Sequence, residues 1–103
     1  MSVAGTAFNI VGMQQITFAA DAAVGLTVPT AARHACIAIT TFGVRLGSAT
    51  TVPVAGTSGV TLAAGGFVNY TDASGDFRGV LMQLMLCNAV AGSNAVVDIM
   101  YFN

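Results

Sequence analysis

The chain has 103 residues, enough for one domain and too few for two. Hydrophobic residues make up 55% of it and charged residues 7%, with net charge −1, no Lys and no Glu. That balance excludes a disordered chain, which needs low hydrophobicity and high charge, and it excludes the basic patch that nucleic acid requires.

Strand signals run from end to end. Segments rich in Val, Ile, Thr, Phe and Tyr predict strands over 7–11, 15–19, 25–28, 35–40, 43–46, 59–62, 67–70, 79–87 and 95–102. Turn signals separate them: Pro29 with the residues to Arg33, Gly47 to Pro53, Gly56 to Gly59, Gly65-Gly66, Asp72 to Asp76, and Ala91 to Asn94. Short strands at this spacing predict a sandwich or barrel. The opening stretch, 1–22, differs in carrying Gly, Gln and Asn among apolar residues. It reads either as an arm that adds to a neighbouring subunit's sheet edge or as the first hairpin of the domain. The sandwich proper is then placed at 23–103. The start, Met1 to Ala7, has neither a basic opening nor an unbroken apolar core, so no secretory signal is visible and assembly in a cytoplasm is expected.

The run 80–87 is ambiguous, because Leu and Met favour helix and no β-branched residue follows Val80. Its neighbours on both sides are strands, so it is read as one. The longer stretch that it opens, 80–97, is the best candidate for a membrane span. Gln83, Asn88, Gly92, Ser93 and Asn94 interrupt it and no basic cluster flanks it, so no membrane partner is expected.

The last two strands are apolar on both faces. One face of the final strand carries Val97, Ile99 and Tyr101, and the other Val96, Asp98, Met100 and Phe102. A half-exposed strand should alternate apolar with polar, and a two-layer domain offers each sheet one inward face. A second apolar face lies either under a loop of the same chain or against another subunit. Seven charges cannot coat a surface of roughly 5,000 Å² in the usual way, which favours the subunit. The residues expected at that contact are Phe8, Ile10, Leu81, Met85, Met100 and Phe102. Arg33, Arg45 and Arg78 are expected to bridge to acidic groups of a partner.

Catalytic and metal chemistry find little support. The lone His34 shares a strand face with Cys36, but no third group or oxyanion loop accompanies them, so they read as a half-exposed His beside a loop and a small apolar thiol. Cys36 and Cys87 are expected to be reduced and buried, and a disulfide would require their strands to lie close. Two Cys and one His do not make a zinc site. Asp72, Ser74 and Asp76 have calcium-loop spacing, yet Phe77 stands where a Gly is needed and no Glu closes the loop. A hairpin turn explains them better. No phosphate loop is present, so no enzyme activity, cofactor or metal is expected. Tyr70, Tyr101 and Phe102 are the one set of rings that could stack on a sugar.

Several stretches, taken in order, resemble a family of small β-sandwich proteins encoded among the structural genes of tailed bacteriophages. They are GLTVP at 25–29, ARHACIAI at 32–39, Val44-Arg45, VTLAAG at 60–65 followed by Tyr70, and VDIMYF at 97–102. Together they span about three quarters of the chain by strand order and spacing. The resemblance implies an all-β, jelly-roll-like antiparallel sandwich of about eight strands. It implies a virion structural protein, not an enzyme: a capsid cement or decoration subunit, assembled in the host cytoplasm, that staples neighbouring major capsid proteins. Self-association is implied too, with a trimer suiting icosahedral three-fold positions. The chain departs from the family pattern in its fewer charges, its extra Met and Leu, and its longer N-terminal segment. Those departures leave open a tail or head–tail accessory protein, and a carbohydrate-binding jelly roll is the alternative of another class.

Overall fold

A computed structural model describes residues 9–72 and 75–103. In chain order the elements are β1 (Ile10–Thr17), β2 (Val24–Gly25), β3 (His34–Thr41), β4 (Val44–Ser48), β5 (Val60–Leu62), β6 (Phe67–Tyr70), α1 (Arg78–Leu81), β7 (Leu84–Asn88) and β8 (Val96–Phe102).

The pairing follows one rule. β1 pairs with β8, β2 with β7, β3 with β6 and β4 with β5, all antiparallel. The first half of the chain thus lies along the second like one long hairpin. Two further pairings, β3 with β8 and β4 with β7, roll that hairpin into two four-stranded sheets of order β1-β8-β3-β6 and β2-β7-β4-β5. This is an eight-stranded jelly roll, as the sequence led us to expect.

Period-two alternation puts the core between the sheets. Ile16, Ile37, Ile39, Val97, Ile99 and Tyr101 fill it from one side, and Val44, Leu84 and Leu86 from the other. Two buried polar side chains tie it together. The Asn88 amide donates to the Phe18 carbonyl at 3.0 Å and to Asp21 Oδ1 at 3.1 Å, and its Oδ1 accepts from Ala95 N–H at 2.8 Å. Tyr101 donates to Gln14 Oε1 at 2.7 Å, an oxygen that also accepts from Thr27 N–H. Burial pushes the Tyr101 hydroxyl up to about 12.

Three expectations need correction. First, 79–87 is not one strand. Residues 78–81 make a single helical turn that drives Leu81 into the core, and β7 begins only at Leu84. Arg78 sets the turn in place by donating to the carbonyls of Pro29 and Ala32, while Asp76 Oδ1 accepts from Arg78 N–H. Secondly, the segments 7–11 and 15–19 do not form two strands within the described residues. From Ile10 onward one strand continues through Gly12 with a single bulge. Gly12 is there for close approach, because a β-carbon at that position would lie 2.8 Å from the Pro29 ring. Thirdly, the boundary at 22/23 does not separate an arm from the sandwich, since β1 is an edge strand paired with this chain's own β8 and Ile16 and Phe18 belong to the core.

Candidate functional site

The two sheets differ on their outer sides. On β2-β7-β4-β5, Arg45, Gly47, Met85 and Cys87 face outward. The 49–59 loop folds back over this side, bringing buried Pro53 against Gly47 and Gly59. Gly56 N–H donates to the Ala89 carbonyl and Ala49 N–H to the Gln83 carbonyl. The Arg45 guanidinium donates to the carbonyls of Ala89 and Gly59. Cys87 is buried beside it, and burial pushes its thiol up although Arg45 pulls the other way.

Among the described residues no such loop crosses the middle of β1-β8-β3-β6. Register places Met100 between Met13 and Cys36, Cys36 between Met100 and Asn69, and Ala38 between Asp98 and Phe67. Ile10 lies opposite Phe102 at one corner. Met13 is 73% exposed, Phe67 65% and Ile10 60%. Met13, Cys36, Ala38, Met100 and Phe102 surround an almost wholly apolar hollow of about 240 Å³. Among the described residues the one charge on this face is Asp98, whose Oδ1 accepts from Gln15 Nε2 at 2.8 Å.

The ends of the sandwich also differ. The loops after β1, β3, β5 and β7 gather at one end, where Ala89 N–H donates to the Gly43 carbonyl and Gly92 N–H to Asp21 Oδ1. These two contacts with Gly92 and Asn88, the first the larger, hold the Asp21 carboxyl below its ordinary value. Phe42 and Val90 stand exposed at this end. Phe42 has φ +56°, a left-handed conformation that bulky residues avoid. Charges collect at the opposite end, where Arg33, Asp76, Arg78 and Asn103 line an open hollow of about 450 Å³.

Of the nine residues expected at a contact, the structure brings Ile10, Met100 and Phe102 together on the bare sheet face. Phe8 lies outside the described residues. Leu81 is fully buried and offers a partner no surface, because the helical turn points it inward. Met85 is half-buried between Gly25 and Gly47 on the covered side. Arg45 and Arg78 are bound to carbonyls of their own chain, and Arg33 is exposed at the charged end. Met13 and Phe67, the most exposed large apolar residues of the bare face, were missed. The alternation around Met100 would have found Met13 had β1 been known to lie against β8.

His34 is not half-exposed. It is buried, with Phe77 edge-on at 5.9 Å, although it shares the outward side of β3 with Cys36 as the spacing implies. Cys36 and Cys87 are both free, and they lie on the outer sides of opposite sheets with the core between them. Cys36 is half-exposed, not buried. The Asp72–Asp76 segment is no hairpin turn; it leads from β6 to α1, and Ser74 lies outside the described residues. Among the described residues no group of three His, Cys, Asp or Glu is placed to hold a metal, and no helix is long and apolar enough to cross a membrane. The rings proposed for sugar stacking do not share a surface. Tyr101 is fully buried, and Tyr70 packs edge-on to Phe77 at 5.9 Å.

No family model matches the chain, and no curated protein or solved structure is similar to it.

Proposed function

We propose that the chain is a structural virion subunit, a cement or decoration protein that staples neighbouring major capsid proteins. One observation carries this reading: on a protein with seven charges, large apolar side chains stand exposed at several places, among them the β1-β8-β3-β6 face with Met13, Phe67 and Ile10 and the Phe42–Val90 end. A free monomer has no use for so much bare apolar surface. Phe42 adds to it. An aromatic residue held at positive φ costs of order 1–3 kcal/mol and persists where something other than stability keeps it. The resemblance to phage structural proteins supplies the setting. A cement subunit works mechanically, by covering apolar area across a seam at about 25 cal/mol per Å² before ordering costs. Many copies on a symmetric shell turn weak contacts into firm retention.

The test is sedimentation of the purified chain with capsids of the source phage, and of capsids that lack it. The chain is expected to sediment with the shells and raise their thermal disruption temperature, and Phe42→Asp to lose both effects while folding normally. A chain that is absent from purified particles and adds nothing to their stability overturns the reading. Sedimentation with isolated tails instead of heads would replace cement with a tail role.

A further inference from the structure

We infer that Met13, Met100 and Cys36 form a binding site for a soft monovalent metal ion, copper(I), on the outer face of the β1-β8-β3-β6 sheet. The site is independent of the virion reading and needs only this chain.

The register brings three sulfurs together. Met13 lies directly opposite Met100 across β1 and β8, and Cys36 lies directly opposite Met100 across β3 and β8. Residues opposite one another share a side of the sheet, so one outward row carries sulfur on three adjacent strands. All three side chains line the same 240 Å³ hollow. Strands stand about 4.8 Å apart, which puts Met13 and Cys36 about 10 Å apart at the backbone with Met100 between them. A metal–thiolate bond is about 2.3 Å long, and the long, flexible methionine side chains cover the rest of the span. Cys36 is half-exposed and Met13 exposed, so an ion can enter from solvent.

Softness and charge choose the ion. Thiolate and thioether sulfur select copper(I), whereas magnesium, calcium and manganese take oxygen. Zinc sites are built from thiolate, imidazole and carboxylate, and two of the three donors here are thioethers. On binding, the ion enters as copper(I) and keeps that oxidation state. A copper–sulfur bond forms to Cys36, and the thiol proton it displaces passes to solvent. One thiolate, two thioethers and one monovalent ion make a neutral complex, which an apolar hollow holds at far less cost than a charged one. Asp98, held by Gln15 at the margin of the same hollow, draws a cation toward it.

The second thiol is the contrast within the molecule. Cys87 is fully buried on the outer side of the other sheet, directly opposite Arg45, whose charge acts on it. A guanidinium there repels a second cation, so one ion per chain is expected.

The experiment titrates the full, reduced chain under argon with copper(I), supplied as its acetonitrile complex, and with silver(I) as a redox-inert ion of the same softness. Native mass spectrometry counts the bound ions, and competition with a chromophoric copper(I) chelator reads the affinity. One ion per chain is expected, with sulfur alone in its first shell by X-ray absorption. Cys36→Ser should abolish binding. Met13→Leu and Met100→Leu keep side-chain volume and so the fold. Each should weaken binding at least about tenfold, which is what losing even an outer-shell partner costs. Circular dichroism checks that every variant is folded. A chain that takes up no ion overturns the site. So does copper(I) retained by Cys36→Ser, an affinity indifferent to both methionine variants, or zinc(II) bound as tightly as copper(I).

Discussion

Each of the two sheets has four strands and apolar residues on both its sides, yet among the described residues one is covered by its own chain and the other is not. Over β2-β7-β4-β5 the 49–59 loop lays Pro53 on Gly47, and Cys87 on the same side is fully buried. Over β1-β8-β3-β6, Met13 and Phe67 meet solvent. The loop can lie flat because the strand beneath it carries a glycine. A β-carbon at Gly47 would sit 2.7 Å from the Pro53 ring and 2.6 Å from the Thr51 carbonyl. Among the described residues no segment of comparable length leaves the bare sheet next to its middle. An apolar second face is thus ambiguous in meaning until the connections are known: it is a second small core on one sheet and an open surface on the other.

The largest test of this contrast exchanges the two thiols for charges. Cys87→Asp buries a carboxylate under the loop and is expected to cost about 3–5 kcal/mol. Cys36→Asp, half-exposed on the open face, is expected to cost under about 1 kcal/mol. Urea denaturation measures both, and equal costs would mean that the loop does not seal its sheet. Next in size, Gly47→Ala should lift the loop at a cost of about 2 kcal/mol. The native chain should react with a thiol reagent at Cys36 alone, whereas the variant should also label Cys87 at a comparable rate. On the open face, Met13→Lys should change stability by no more than about 0.5 kcal/mol while raising solubility. A large loss of stability there would show that the face is covered after all.

The smallest effect concerns Asp21, which joins the β1–β2 loop to the β7–β8 loop. Its carboxyl is held below the ordinary 3.8 by the Gly92 and Asn88 hydrogen bonds. The folded state therefore binds a proton less readily than the unfolded one. The contribution is fully present above about pH 4 and fades as pH falls below 3.8 through the lowered folded value. Asp21→Asn should flatten that part of the stability–pH profile. The residue is exposed, so the change is a modest one.

Strand positions were legible because Val, Ile and Thr mark them, and six of the expected segments lie within a few residues of β2 to β6 and β8. The split at 82–83 was not. Val80-Leu81-Met82-Gln83 carries helix-favouring residues, but only the Arg78 anchors on Pro29 and Ala32, 46 and more positions away, decide that the chain turns there. Gly12 misled for a similar reason, since a glycine that admits a neighbour's ring looks in sequence like one that ends a strand. The excess of apolar surface could be read from composition. Its location could not, because Met100 and Met85 sit in equally apolar alternations and only the 49–59 loop tells their faces apart. Asn88 gave no signal at all, as a single Asn at a strand end reads as a turn residue.

The strand order has a consequence for how the protein comes to be made. β8, last in the chain, is not at an edge but lies between β1 and β3. Until β8 leaves the ribosome, the first and third strands have nothing between them and the sheet exists only as separate halves. Pairings so distant along the chain form slowly and leave sticky intermediates exposed meanwhile. Deleting the last strand would therefore remove the seam on which the whole β1-β8-β3-β6 layer closes, and nascent chains arrested before it should depend on chaperones to stay out of aggregates.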